Sequence, residues 1–210
     1  MSEKDTVRRL LDEAGATYAE QAGIRLDDKP MPLFELLVLC MLASKPIDAN
    51  IAVRAAQEIF GDKLRTPDAV LGAERKTIIA AFGRAGYARY DESSATRLVD
   101  IATAVRDEYH GDLRRLAARS EHDKATAKRL LEEFTGIGDT GSDIFLREVQ
   151  DVWSWVRPHF DNRAIAAARD LGLPGDPENL GHLAEHRCAP LAAALVRVSL
   201  DSDLRDKILQ

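Results

Sequence analysis

The residues best placed to do chemistry lie between Lys128 and Asp161, centred on Phe134-Thr135-Gly136-Ile137-Gly138-Asp139-Thr140-Gly141-Ser142. A basic, Leu-rich run (Lys128, Arg129, Leu130, Leu131) stops at Gly136-Ile137-Gly138, and an apolar-periodic run through Ile144, Phe145 and Val149 starts directly after it. That pattern is a helix, a hairpin and a helix. Two glycines two positions apart let the backbone take positive φ and bring its amides against a ligand with no Cβ in the way. The first N–H groups of the next helix point outward with the positive end of the dipole behind them, which suits a phosphate. A plainer reading stands beside this one, because glycine just past a helix end is the commonest C-cap. Further on, Asp161-Asn162 precedes the alanine-rich helical pattern of 163–171, where a carboxylate can cap the first free N–H groups.

Other chemistries are excluded by what is missing. Cys40 and Cys188 lie far apart, so neither a thiolate zinc site nor a four-cysteine iron–sulfur cluster can be assembled. Of five histidines only His182 and His186 have helical i,i+4 spacing, and they read as a solvated face, so no metal is expected. The net charge of −6 argues against a protein that coats nucleic acid, whose non-specific affinity comes from phosphate neutralisation by Lys and Arg. Local cations are available at Arg114, Arg115, Arg119, Lys124, Lys128 and Arg129, interleaved with Glu121, Asp123, Glu132 and Glu133, which also fits solvated helix faces. The longest apolar run, Leu36 to Ala43, is too short for a membrane span, and residues 1–11 are mostly polar with no leader pattern. A cytoplasmic protein with no membrane partner is expected.

The elements that must position these residues are all helical. Val7, Leu10, Leu11, Ala14 and Tyr18 set a helix from Lys4 to about Ala22. Leu33 to Ser44, with Pro32 in its first turn, is apolar nearly all round and belongs at the centre of a core. Asp48 caps a helix over 49–60, and Thr66-Pro67 starts a short one to Leu71. Another follows from Glu74 to Phe82, then a turn with Gly86 and Tyr87, then a long amphipathic helix to Tyr109. Trp153 to Phe160 reads as aromatic and extended, with Pro158 biasing Arg157 away from helix, and further helices including 189–198 finish the chain.

In this order the elements resemble the endonuclease III-like helix-hairpin-helix (HhH-GPD) DNA glycosylase superfamily, over roughly Phe34 to Leu173. Phe34-Glu35-Leu36-Leu37 through Asp48 resembles its opening core helix and the capping aspartate after it, and Phe134-Thr135-Gly136-Ile137-Gly138 resembles its Leu-Pro-Gly-Val-Gly hairpin. Asp161 falls where the family's catalytic aspartate lies. The resemblance implies an all-α, two-lobed fold, with a six-helix lobe over 34–153 carrying the hairpin and a second lobe from 1–33 and 154–210. It implies a monomer acting on double-stranded DNA that contains a damaged base, flipped out of the stack. Gly136, Ile137, Gly138 and Thr140 would contact DNA with Lys128, and Asp161 would stabilise positive charge on the sugar or activate water. Lys45 stands where relatives insert a glutamine into the gap left by the flipped base.

Three departures shape the reading. Thr140 occupies the position of the lyase lysine, so water becomes the nucleophile and a monofunctional glycosylase of base excision repair is expected. Asp139 puts a carboxylate at a phosphate clamp. The cluster cysteines are missing, so the second lobe relies on apolar packing from Leu171, Leu173, Leu183, Leu191, Leu195 and Val198, and a monovalent cation at the hairpin is the remaining inorganic partner. The turn Val38-Leu39-Cys40-Met41 lacks the glutamate of the adenine-specific branch, and alkylated purine is the expected substrate by analogy. Trp155 and His159 are the expected base pocket, with Trp153, Tyr87 and Phe160 available for stacking or for the core. A catalytically silent DNA-binding protein, or an abasic-site lyase using Lys45 or Lys124, are the alternatives.

Overall fold

Every regular element among residues 2–210, which the computed structural model describes, is a helix. The chain forms two compact units. One takes the N-terminal residues through Tyr18 together with Leu146–Gln210, and the other is Ala19–Phe145. These boundaries differ from the 33/34 and 153/154 expected from sequence. Ala19, Ala22 and Ile24 are buried, and Gln57 Nε2 donates to the Gln21 carbonyl at 2.7 Å, which ties this segment to Ala19–Phe145. Residues 147–150 instead bond to the loop that leads to Asp161.

In the unit Ala19–Phe145 the central element is the helix Pro30–Ala43, whose residues 32–42 are all buried. Pro30 and Pro32 suit its first turn, where the missing N–H costs nothing. Burying each of its leucines contributes roughly 1.5–3 kcal/mol, which explains why the other helices gather on it. Ala49–Gly61, capped by Asp48 through the Asn50 N–H at 2.8 Å, packs against it, as does the long helix Asp91–Tyr109. Pro67–Leu71 and Arg75–Arg84 complete this layer against Asp91–Tyr109. Tyr87, fully buried, donates its hydroxyl to the Leu42 carbonyl at 3.0 Å and pins the turn between them. Arg114–Arg119 and Lys124–Glu132 then lead to the hairpin.

In the other unit, the alanine-rich helix Cys188–Leu200 is the centre, packed by Glu3–Ala14, Asn162–Asp170, Pro177–Ala184 and Ser202–Leu209. Small side chains at Ala164, Ala167, Ala168, Ala192 and Ala193 are all buried and let Asn162–Asp170 and Cys188–Leu200 approach closely. Leu171, Leu173, Leu191, Leu195 and Val198 are buried and Leu183 is half-buried. The first helix ends at Ala14 and does not run on to Ala22. Gly15 caps it by donating to the Leu11 carbonyl at 3.1 Å, and a short turn Tyr18–Gln21 follows. Trp153 to Phe160 is not uniformly extended either. It holds a 3-10 turn at Ser154–Val156 and then a cis Arg157–Pro158 bond.

Candidate functional site

The hairpin lies between Lys124–Glu132 and the helix Gly138–Val149. Phe134 anchors it in the core, its ring 5.6 Å from that of Tyr109, and Ile137 is buried beside it. Gly136 has φ +90 and Gly138 φ +52, the region where a side chain is disfavoured. The Ile137 N–H donates to the Phe134 carbonyl at 3.1 Å, so this amide closes the turn and does not face outward. The N–H groups of Gly136, Gly138, Asp139 and Thr140 donate to no protein acceptor among the described residues. Open amides at a turn and helix N-terminus are the kind of backbone that suits an anion, and Ile137 is buried as the anchor of the turn.

Gly141, which the sequence reading passed over, fixes how this turn sits. A Cβ there would lie 2.5 Å from Ser44 Oγ and 3.0 Å from Ile137 Cγ2. Ser44 Oγ donates to the Cys40 carbonyl at 2.6 Å and lies 3.3 Å from that of Ile137. The helix Gly138–Val149 therefore meets the C-terminal end of Pro30–Ala43 through a glycine and a hydroxyl. Lys45 follows at once, half-buried, with Nζ 5.8 Å from the centre of the Tyr90 ring.

Charges at the hairpin differ from the expectation. Lys128 Nζ is bound by Asp139 at 2.8 Å and by Asp143 at 2.9 Å, and its side chain is 28% exposed. Burial works against its charge, but the two carboxylates prevail and raise its pKa. Asp139 thus serves as a counter-ion to Lys128 as well as lying in the first turn of its own helix, where negative charge is favourable. Of the other basic residues, Arg114 is paired with Asp112 at 2.7 Å and Arg129 bonds Thr126 at 2.8 Å. Arg97 reaches the hairpin from Asp91–Tyr109, and its Cδ is 2.7 Å from where a Gly136 Cβ would be.

Asp161 is the N-cap of Asn162–Asp170, with Oδ1 accepting the Ala164 N–H at 2.8 Å. Its Oδ2 accepts from Arg147 Nη1 at 3.0 Å. Arg147 also lies 3.4 Å from Glu148 Oε1 and stacks on the Tyr18 ring, 5.3 Å to its centre. The side chains of Glu148, Arg147 and Asp161 are 0%, 5% and 12% exposed. Burial disfavours the guanidinium charge, yet Glu148 and Asp161 together raise its pKa, so it stays a cation. Burial likewise raises the pKa of Tyr18, against the pull of Arg147 and Arg197. Two carboxylates flank the Arg147 guanidinium, Arg197 lies on the same Tyr18 ring at 4.6 Å, and Asp161 is the one of Arg147, Glu148 and Asp161 that solvent reaches most.

The segment before Asp161 is held by Gln150, which is fully buried. Its Nε2 donates to the carbonyls of Arg147 and His159 at 3.0 and 2.9 Å, and its Oε1 accepts the His159 N–H at 2.9 Å. Arg157 donates to the Gln150 and Asp151 carbonyls at 2.8 and 3.0 Å. Trp155 stacks on buried Trp153, with ring centres 5.4 Å apart and planes 21° from parallel. Trp155 and His159 are both half-buried on this braced loop. Tyr87, Trp153 and Phe160 are core residues, and Trp155 is half-buried against Trp153.

A solved structure of endonuclease III, trapped as a covalent intermediate with DNA in an estranged-adenine complex, is similar to this chain. The likeness covers 94% of this chain and 86% of that one at 15% sequence identity, with a TM-score of 0.50. The sequence matches no family model and no curated protein. The likeness is one of fold: an all-α fold similar to that of endonuclease III. No helix among the described residues is long and apolar enough to cross a membrane.

Proposed function

We propose that this protein is a monofunctional DNA glycosylase of base excision repair, acting on a damaged base, with alkylated purine the favoured class, in double-stranded DNA. The observation that supports it best is Asp161, a carboxylate on a helix N-terminus that is held by buried Arg147 and still reached by solvent, in a chain whose fold is similar to endonuclease III. As the bond from the sugar C1′ to the base nitrogen breaks, its electron pair leaves with the base and positive charge develops on the sugar. The Asp161 carboxylate stabilises that cation. Water then adds its oxygen to C1′ and its proton passes to solvent or to the departing base. Thr140 carries no amine to form a Schiff base, which favours hydrolysis over strand cleavage. The open amides of the hairpin hold a backbone phosphate.

A second reading, a DNA-binding protein without turnover, is favoured by one observation. Both oxygens of Asp161 are already engaged, one by the Ala164 N–H and one by Arg147, which reduces what remains to orient water. The test is base release from duplexes carrying alkylated, deaminated and oxidised bases, read with and without alkali, for wild type and Asp161→Asn. Alkali-dependent breaks that vanish in Asp161→Asn, while binding is retained, are the expected result. Breaks without alkali, accompanied by borohydride trapping, would move the assignment to a lyase with Lys45 or Lys124 as nucleophile. Binding without release from any lesion would favour the silent protein.

A further inference from the structure

We propose that the side-chain cation serving the hairpin is Arg97, seconded by Lys45, that it takes a phosphodiester of a DNA strand, and that Lys128 takes no part. The inference rests on the DNA-binding reading above. Beside the hairpin is a groove of about 550 Å³, lined by Ser44, Lys45, Arg97 and the turn from Glu132 to Thr140. Of the cations near this turn, Lys128 is saturated by Asp139 and Asp143. Arg97 is different. It is half-buried, lies against Gly136 with Nε 3.3 Å from the Cβ position, and has no hydrogen bond or ion pair among the described residues. Among the described residues Lys45 has only the face of Tyr90, which directs a cation without neutralising it.

A half-dry guanidinium with no counter-ion is costly to keep, and it is next to Gly136, one of the four residues with open amides. Guanidinium forks match phosphate oxygens better than any other side chain. Glycine at 136 therefore serves two ends. It permits the φ of the turn, and it leaves room for the arginine stem to cross it. Glu132 and Glu133 also line the groove, and Glu132 accepts the Ser142 hydroxyl at 3.1 Å. Their repulsion disfavours a freely diffusing anion, so the phosphate that binds is one delivered by a strand held elsewhere as well.

The test is the salt dependence of binding by the full chain to a duplex carrying a synthetic abasic-site analogue, followed by fluorescence anisotropy. Each phosphate neutralised contributes about 0.9 to the slope of log K against log salt. Arg97→Gln is expected to reduce the slope by about one, and Arg97→Lys to retain it. The charge-neutral double variant Lys128→Gln/Asp139→Asn is expected to leave it unchanged. An unchanged slope in Arg97→Gln, or an equal loss in the double variant, overturns the assignment. Displacement by inorganic phosphate beyond that caused by chloride at the same ionic strength would make this a free-anion site and overturn the strand assignment. If the wild type binds no duplex at any salt, the DNA-binding reading itself fails, a result distinct from a bound complex with an unaltered slope.

Discussion

Arg147 Nη1 lies 3.0 Å from Asp161 Oδ2, and this buried contact joins the candidate catalytic carboxylate to the helix Gly138–Val149. The same guanidinium faces Glu148, whose side chain has no exposure at all. Arg147 therefore does two things at once: it gives the buried Glu148 carboxyl a charged neighbour, and it fixes the rotamer of Asp161 while the Ala164 N–H holds the other oxygen. The cluster positions Asp161, its most exposed member.

Removing Arg147 should thus be far worse than removing Asp161. Arg147→Met strands two carboxylates in a nearly dry site and is expected to cost about 3–5 kcal/mol, the usual penalty for breaking a buried pair from one side. Asp161→Asn keeps an oxygen for the Ala164 N–H and should cost about 1–2 kcal/mol. Urea unfolding of both variants checks the order. An Asp161→Asn more destabilised than Arg147→Met would mean that the cluster is organised around the aspartate and not the arginine.

Much of this was legible in the chain, for stated reasons. The hairpin glycines, the Asp48, Thr66 and Asp161 caps and the buried helix at Leu36 to Ala43 are local features, set by φ, by free N–H groups and by apolar periodicity, and the structure has all of them. Arg97, Arg147, Gln150 and Ser44 were not legible, because each acts across a long sequence separation or at a spacing with no periodic signature. Gly141 was half-legible. A third glycine in the motif is visible, but only the facing Ser44 shows why a side chain cannot stand there. The pairing of Lys128 was not legible, because charge in a sequence carries no record of its counter-ions, and here two aspartates on the next helix bind it. The break at Gly15 was missed because Tyr18 keeps the apolar spacing of the preceding helix while belonging to a separate turn.

Gly141→Ala should destabilise the protein by about 1–3 kcal/mol through overpacking against Ser44. The added methyl would meet a hydroxyl oxygen at 2.5 Å, an atom that Ser44→Ala removes. In the double variant the penalty should fall by more than the sum of the singles allows, a coupling that a double-mutant cycle in urea reads directly. Additive penalties would show that Ile137 Cγ2, 3.0 Å from the same point, is the real obstacle.

Gly136 and Gly138 should differ although both have positive φ. At Gly138 the φ of +52 is one that asparagine tolerates, and a Cβ there meets nothing within 4 Å. At Gly136 the φ is +90 and the Cβ would strike Arg97 Cδ. Gly138→Asn is expected to cost under about 1 kcal/mol, and Gly136→Asn about 1–3 kcal/mol from strain and displacement of the arginine. Thermal unfolding measures the difference, and equal losses would show that the crowding at Gly136 has no weight.

Glu35 sits in the central helix with its side chain 2% exposed, and its contact with Arg65 Nη1 at 3.1 Å is a charge contact without an aligned hydrogen bond. Burial pushes its carboxyl above the ordinary value of 4.5, with Arg65 pulling less strongly the other way. In the window between the ordinary and the raised value the native state holds a proton that the unfolded chain has released. Stability contributed by this group therefore grows as pH falls through that window, and the group is a burden at neutral pH. Glu35→Gln removes the titration, and because Arg65 is 41% exposed, losing its partner costs little. Urea midpoints measured from neutral pH down to about 4.5 should converge between wild type and Glu35→Gln, with the variant more stable at the neutral end. Parallel curves would show that Arg65 fully offsets the burial of Glu35, so that its carboxylate sits at no cost beneath the helix that organises this unit.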